Sequence, residues 1–336
     1  MRTSWKQILA FIVVVGGVNF LIDQLVVEEN HPHKFLEMYR AWMVKSKPDV
    51  VLVGNSMLGA GVDTRTVSLI TGKKVLKLAQ GGTASAAWYL MIKNVALAFP
   101  DKPEAVVLFF RDFFLTQPGF RVTKYHRRFI EDISDGPETL VSELAFGKEI
   151  GVGTYLNQYC PAYRHQEILE KKLSDLAKAI SGRLGNSDHE EPAVKRAGDS
   201  LKSVFSEKNM DVKIATKEQQ EAETVRKTDW RSFHEALDVS FLPHIISMTK
   251  SQGVPLILVR IKRRSLAMNK PESESLKGYI RDLKAYLEEN SVPLIDFSYD
   301  ERISLEHYAA GDHLNTHTGR KHFSKLLGKR LLGYLK

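Results

Sequence analysis

Five short apolar runs constrain the fold of this 336-residue chain more than any other feature. Each run has four to seven residues, is apolar throughout or nearly so, and is bounded by polar or turn residues. The runs are Val50–Val53, Val75–Ala79, Ala105–Phe110, Pro255–Ile261 and Pro293–Phe297. Continuous apolar runs are typical of strands that are covered on both faces, as in a parallel sheet.

Helical patterns lie between these runs. Apolar residues recur at helical spacing in Ser85–Ala98, in Trp230–Ser251 and in about Thr318–Tyr334. Strands that alternate with helices predict an α/β fold, here a three-layer, doubly wound sheet of five parallel strands. Ligands of such sheets bind beyond the carboxyl ends of the strands, so the residues that follow each strand are the first candidates for a site.

The stretch from about residue 118 to residue 228 breaks this alternation. Arg121–Arg128 is basic and loop-like, His165–Leu184 has an amphipathic helical pattern, and Gly185–Thr228 is polar and highly charged. We interpret the stretch as an insertion that is partly helical. The sequence leaves open whether it covers the active site, binds a partner or is a solvated excursion.

An apolar stretch, Ile8–Val27, follows two basic residues near the start of the sequence. About 20 apolar residues can span a bilayer, and a basic flank favours the cytoplasmic side. A shorter core, Ile8–Ile22, would suit a secretory signal peptide instead. We therefore predict a membrane anchor or signal peptide in residues 1–28 and an exported α/β domain, periplasmic or extracellular, in residues 29–336.

Composition narrows the classes of partner. The formal net charge of +8 favours anionic neighbours such as lipid headgroups or polyanionic glycans. We expect no nucleic-acid partner, because the sequence has no zinc-finger spacing or RNA-binding signature. The histidines show no metal-ligand spacing, so neither a metal nor another cofactor is expected. The single cysteine, Cys160, excludes an intrachain disulfide.

A serine and a histidine occupy the positions that matter in such a sheet. Ser56 follows the first predicted strand in Gly54-Asn55-Ser56, where small residues allow a tight strand-to-helix turn. His313 lies in a loop just before the last predicted helix. Both would converge on the carboxyl edge of the sheet, which predicts a nucleophile and its base. Their aspartate partner would be Asp312, although a Ser–His dyad or Asp296 remains open.

These segments resemble the SGNH (GDSL-like) hydrolase superfamily at four blocks. Gly54-Asn55-Ser56 is similar to its first block, Gly82 to its oxyanion glycine, and the His313 segment to its last block. In the third block, Arg111 or Asp112 stands where the family has an asparagine. The resemblance implies a flavodoxin-like fold. It also implies a catalytic Ser56, His313 and Asp312, with Asn55, Gly82 and Arg111 near an oxyanion or the substrate.

The predicted anchor makes the chain similar to membrane-anchored members that modify polysaccharides, such as the D-alanyl transfer protein and the alginate O-acetylation proteins. That likeness implies O-acyl transfer through an acyl-serine to a polysaccharide or other polyol. A membrane-bound O-acyltransferase would supply the acyl group at the cytoplasmic (inner) membrane. An esterase of the same fold is one alternative. A catalytically degenerate member that binds a glycan, or scaffolds the acyltransferase, is another.

Basic residues cluster at the end of the fourth predicted strand. Arg260 lies within the strand, and Lys262, Arg263 and Arg264 follow it. They would hold an anionic glycan or a lipid phosphate, or they would form a solvated basic loop. Of the four, Arg260 is the predicted substrate-binding residue.

Overall fold

The computed structural model describes residues 17, 34–116, 124–145, 232–309 and 311–335. The strands are β1 Val50–Gly54, β2 Val75–Ala79, β3 Ala105–Phe110, β4 Leu256–Arg260 and β5 Leu294–Asp296. The helices are α1 Lys34–Ser46, α2 Ser56–Gly61, α3 Thr64–Thr71, α4 Ser85–Met91, α5 Lys124–Asp132, α6 Thr139–Ala145, α7 Phe233–Leu237, α8 Leu242–Ser251, α9 Arg264–Ala267, α10 Glu274–Glu289 and α11 Gly319–Leu331. A π-helical turn, Ile92–Ala96, continues α4, and Leu305–His307 forms a 3₁₀ turn.

The five strands form one parallel sheet in the order β2-β1-β3-β4-β5. Strand β1 pairs with β2 and β3, so that Val53 lies opposite Leu78 on one side and Leu108 on the other. The prediction of an α/β fold with five parallel strands is confirmed. The chain leaves β1 towards one edge and β3 towards the other, and the crevice between two such strands is where these sheets place ligands.

Apolar side chains cover both faces of the sheet. Alternate residues of a strand point to opposite faces. Val51 and Val53 join a core with helices α1, α4, α8 and α10. Val50 and Leu52 join the other core, with α2, α3 and α11. Each fully buried valine or leucine contributes about 1.5–3 kcal/mol, so the continuous apolar runs stabilise both layers at once.

One predicted helix is divided in the structure. Trp230–Ser251 contains two helices, of which the first begins at a Ser232 capping box and the second has Pro243 in its first turn. Both are local start signals that override a continuous apolar pattern. Arg121–Arg128 is not wholly a loop, since helix α5 begins at Lys124.

The predicted anchor stays a prediction. Apart from Gly17, Ile8–Val27 lies outside the described residues, as do His165–Leu184 and Gly185–Thr228 of the predicted insertion. Among the residues that are described, no helix is both long enough and apolar enough to cross a membrane.

Candidate active site

The turn between β1 and α2 presents Ser56. A Cβ on Gly54 would lie 3.1 Å from Phe109 Cβ and 3.0 Å from Leu58 Cβ, so the strand end has room for glycine alone. Asn55 is extended and caps α2, because its Oδ1 accepts a hydrogen bond from the Met57 amide at 3.0 Å. Asparagine is among the preferred N-cap residues. Ser56 is therefore the first helical residue and is partly exposed.

The turn after β2 lies against Ser56. Asn55 Nδ2 donates a hydrogen bond to the Thr83 carbonyl at 3.4 Å. Gly82 has a positive φ of 74°, which glycine adopts without strain. A Cβ built on Gly81 would lie 4.0 Å from Ser56 Cβ. Gly81, which precedes the predicted oxyanion glycine Gly82, is therefore close to the serine. The sequence signal that could have indicated Gly81 is the pair of adjacent glycines shortly after β2.

A short hairpin carries His313. Tyr308 and Leu314 form an antiparallel bridge, and the Ala309 amide donates to the His313 carbonyl at 2.8 Å. Gly311 turns the hairpin with a φ of 64°. Asn315 Oδ1 then accepts from the amide of Gly319 at 3.0 Å, which ties the hairpin to the start of α11.

Contacts between α11 and the β1–α3 region bring the hairpin to Ser56. Arg320 Nε donates to the Ala60 carbonyl at 2.6 Å, and the Asp63 amide donates to Ser324 Oγ at 2.8 Å. A Cβ on Gly61 would be only 3.4 Å from Leu314 Cδ1, so this side chain packs directly on α2. The hairpin is thus held on the first crossover of the sheet.

The structure brings the predicted nucleophile and base together. Ser56 Oγ and His313 Nε2 are 3.0 Å apart, and both residues are partly exposed. When Nε2 carries no proton, the hydroxyl donates to it, which is the arrangement needed to remove a proton from an attacking serine. This is hydrogen-bond distance without any rearrangement. The catalytic roles of the two residues stay predictions.

Asp312 is bound by two arginine residues. Its Oδ1 accepts from the Arg264 amide at 2.8 Å, and its Oδ2 forms an ion pair with Arg111 Nη1. The carboxylate is buried, with 5% of the residue exposed. These contacts hold the loop directly before His313. Its role as the third catalytic residue stays a prediction, as does that of Arg111 beside an oxyanion.

Asp296 has its own charged partners. Its carboxylate accepts from the Ser298 amide at 2.9 Å and pairs with Lys284 at 3.0 Å. Burial alone would raise its pKa, but attraction to Arg260 and the Ser298 hydrogen bonds outweigh burial and lower it. The carboxylate is therefore stabilised in its charged form by neighbours on β4, on α10 and in the turn after β5.

Arg260 lies in an enclosed ion-pair network. Only 2% of the residue is exposed, and its guanidinium binds Glu272 and lies 3.4 Å from Asp296 Oδ2. Removing one partner of such a buried network leaves an uncompensated charge. The contacts give Arg260 a structural part in joining β4, β5 and the start of α10. Its predicted contact with the substrate stays a prediction.

Most of the basic residues after β4 contact other parts of the protein. The alternative prediction of a solvated basic loop is therefore wrong for most of them. The Lys262 ammonium donates to the Asp300 carbonyl at 3.0 Å, and burial lowers the pKa of Lys262. Arg263 Nη1 lies 3.6 Å from Asp112 Oδ1. Asp112 itself has a positive φ of 50°, a left-handed conformation that aspartate adopts more readily than most other non-glycine residues.

No metal centre is seen in the part of the chain that the structure describes, where no three histidine, cysteine, aspartate or glutamate side chains are grouped for one. Two histidines do stack beside the hairpin. The rings of His307 and His322 are 4.4 Å apart and nearly parallel, at 14°. His307 Nδ1 accepts a hydrogen bond from the Ser304 amide at 3.0 Å.

Acidification is expected to destabilise this histidine pair. Burial first, and then the charge of His322, lower the pKa of His307, although Glu306 opposes the shift. The folded state therefore binds fewer protons than the unfolded state below a pH of about 6.5, and the free energy of unfolding falls as the pH falls. Urea unfolding at about pH 7.5 and pH 5.5 measures this loss. His307→Gln should reduce it, whereas His244→Gln, at an exposed histidine, should not. Equal losses in both variants would contradict the prediction.

Comparison with known proteins shows a structural similarity but assigns no family. No family model matches the sequence, and no curated protein matches it. Among solved structures, the chain is similar to the lipase/acylhydrolase from Enterococcus faecalis, with 13% identity and a TM-score of 0.36. The similarity covers 85% of this chain and 96% of the other. A TM-score of that size is too low to assign a family or an activity.

Proposed function

We propose that the protein is a serine-dependent enzyme of ester chemistry that forms an acyl-serine at Ser56. The 3.0 Å distance between Ser56 Oγ and His313 Nε2 is the single observation that carries this proposal. The pair lies at the carboxyl edge of a parallel sheet, directly after β1, where α/β proteins bind ligands. A serine hydroxyl becomes a strong nucleophile when an adjacent base removes its proton.

The reaction follows from these groups. His313 Nε2 takes the hydroxyl proton while Ser56 Oγ attacks the ester carbonyl carbon. Negative charge develops on the carbonyl oxygen beside the Gly81–Gly82 turn, where backbone N–H groups would stabilise it. His313 then gives the proton to the leaving alkoxide, and the acyl-serine forms. In the second half, His313 removes a proton from water, which attacks the acyl carbon. The bond to Ser56 Oγ breaks, His313 returns the proton to Oγ, and the acid and free Ser56 are released.

Asp312 supports this chemistry as a positioning residue. Its carboxylate is held by Arg264 N and by Arg111. Because Asp312 immediately precedes His313, these contacts fix the direction in which the imidazole leaves the hairpin. A rigid support of this kind matters because small displacements of a reacting group cost large factors in rate.

O-Acyl transfer is the finer form of the proposal. A hydroxyl of an exported polysaccharide or another polyol would replace water and leave as an O-acyl ester. The apolar stretch Ile8–Val27 after basic residues supports a membrane location, where a membrane-bound O-acyltransferase would supply the acyl group. Adding a polyol to an ester assay separates the alternatives: acylated polyol supports transfer, and free acid alone supports hydrolysis.

A fluorophosphonate probe tests the nucleophile directly. The probe should label the folded protein at Ser56, as located by peptide mass spectrometry. His313→Gln should slow labelling by about 100-fold, because general-base assistance contributes about 10²–10⁴-fold. His244→Gln is the control, since that histidine is exposed on α8 and outside the site. Absence of labelling would favour the glycan-binding or scaffold alternative, whereas labelling that His313→Gln does not change would contradict the role of His313 as the base.

A further inference from the structure

A group of charged side chains includes Asp312, the residue directly before His313. Arg111 and Asp112 follow β3, whereas Arg263 and Arg264 follow β4. Arg111 Nη1 pairs with Asp312, and Arg111 Nε lies 3.9 Å from Asp112 Oδ2. Arg263 Nη1 lies 3.6 Å from Asp112 Oδ1, which is an ion pair beyond hydrogen-bond distance. We call these three arginines and two aspartates the arginine cluster.

The arginine cluster has one more positive than negative charge. Arg264 is the residue in excess, because it forms no ion pair with any residue that the structure describes. It is nevertheless buried, with 7% exposed, and its Nε has no hydrogen-bond partner among the described residues. Arg263 Nε is likewise buried without such a partner. A buried guanidinium without a counter-charge is costly, so the cluster is suited to receive an anion.

The backbone of Arg264 lies next to the segment that carries His313. Its backbone amide is 2.8 Å from Asp312 Oδ1, and Asp312 is covalently joined to His313. His313 in turn lies 3.0 Å from Ser56. The ion pair between Arg111 and Asp312 therefore connects the arginine cluster to the residue directly before the proposed base. The planar guanidinium group binds carboxylate and phosphate oxygens through paired hydrogen bonds.

We propose that Arg264, with Arg263 beside it, binds an anionic group of the ester substrate, a carboxylate or a phosphate. This inference rests on the proposed ester chemistry at Ser56 and adds the substrate class. The anionic group is carried either by the alcohol part of the ester, which is the acceptor in a transfer reaction, or by its acyl part. In either position it would pair with the excess charge of the cluster while the ester carbonyl faces Ser56.

Three acetyl esters test the proposal on the full chain. 4-Acetoxybenzoate carries a carboxylate, 4-acetoxyphenyl phosphate carries a phosphate, and methyl 4-acetoxybenzoate is neutral. Arg264→Gln should lower the ratio of kcat/KM for an anionic ester over the neutral ester by about tenfold, through KM, since hydrogen bonds to charged groups are strong. Comparing ratios between variants cancels the differences among leaving groups. The anionic ester whose ratio changes more in Arg264→Gln shows whether the site binds a carboxylate or a phosphate.

Matched variants complete the design. Arg281→Gln removes an arginine whose side chain is 78% exposed, and it should leave the ratio unchanged. Arg264→Lys keeps a positive charge and should restore part of the ratio. If Arg264→Gln does not fold, Arg263→Gln replaces it, since that side chain is 30% exposed. Ratios equal to wild type in the folded variants would overturn the proposal.

Failure of the ester chemistry is distinguishable from failure of the anion site. If the wild-type protein hydrolyses none of the three esters, the proposed function fails. Inorganic phosphate and acetate then serve as probes in titration calorimetry. Binding that Arg264→Gln weakens about tenfold would sustain the anion site, whereas no binding, or equal binding in both proteins, would overturn it.

Discussion

Replacing Ser56 with alanine is expected to lower kcat/KM for a short activated ester by about 10⁴-fold, because the nucleophile is removed while the fold is kept. Ser56 is partly exposed and Asn55 supplies the cap of α2, so the lost hydroxyl has its main contact with His313. Hydrolysis of 4-nitrophenyl acetate gives both the acylation burst and the steady-state rate, and the burst should disappear in the variant.

Ser275→Ala is the matched control, since that serine is exposed on α10. It should keep the wild-type burst. The unfolding temperatures of both variants should stay near that of the wild type, because surface substitutions usually change stability by less than about 0.5 kcal/mol. A loss below about tenfold in a folded Ser56→Ala protein would mean that the nucleophile lies elsewhere.

Replacing Gly319 with alanine is expected to destabilise the fold by about 3 kcal/mol and to lower ester turnover with it. A Cβ at Gly319 would overlap the carbonyl oxygen of His307, a backbone atom that cannot turn aside. That carbonyl also accepts a hydrogen bond from the Asn315 amide at 2.8 Å, so a displacement would pass into the hairpin that carries His313. Overpacking of this kind usually costs about 1–3 kcal/mol. Urea unfolding measures the loss.

Gly278→Ala provides the contrast within the same chain. Gly278 lies inside helix α10, and a Cβ there would meet no atom within 4 Å. Alanine is favoured over glycine in a helix by about 1 kcal/mol, so this variant should be more stable than the wild type. If Gly319→Ala were as stable as Gly278→Ala, the close packing of α11 on the 3₁₀ turn would be wrong.

The strands could be predicted because their sequences are apolar on both faces. Val75–Ala79 and Ala105–Phe110 have the predicted bounds, and the other three differ by one residue at one or both ends. Ser56 and His313 could be predicted to meet, since both follow from the order of elements in a doubly wound sheet. Order alone sets which loops share an edge.

Side-chain partners could not be predicted in the same way. Asp312 contacts the Arg264 amide across 48 positions of sequence, and nothing in either segment indicates that pairing. From the sequence alone, Arg260 could be an exposed basic residue at the end of a strand. In the structure, Glu272, 12 positions later, binds its guanidinium. Such choices depend on distances of a few tenths of an ångström between loops, which a pattern of residue types does not encode.

The reactive pair joins residues that are 257 positions apart in the sequence. During synthesis the serine emerges long before the histidine, because chains grow from the amino end at about 5–20 residues per second. The serine can be activated only after the hairpin and α11 have docked on the first crossover. A chain in transit or incompletely folded would therefore carry an inert hydroxyl, and covalent capture of that serine would report completed folding of the sheet domain.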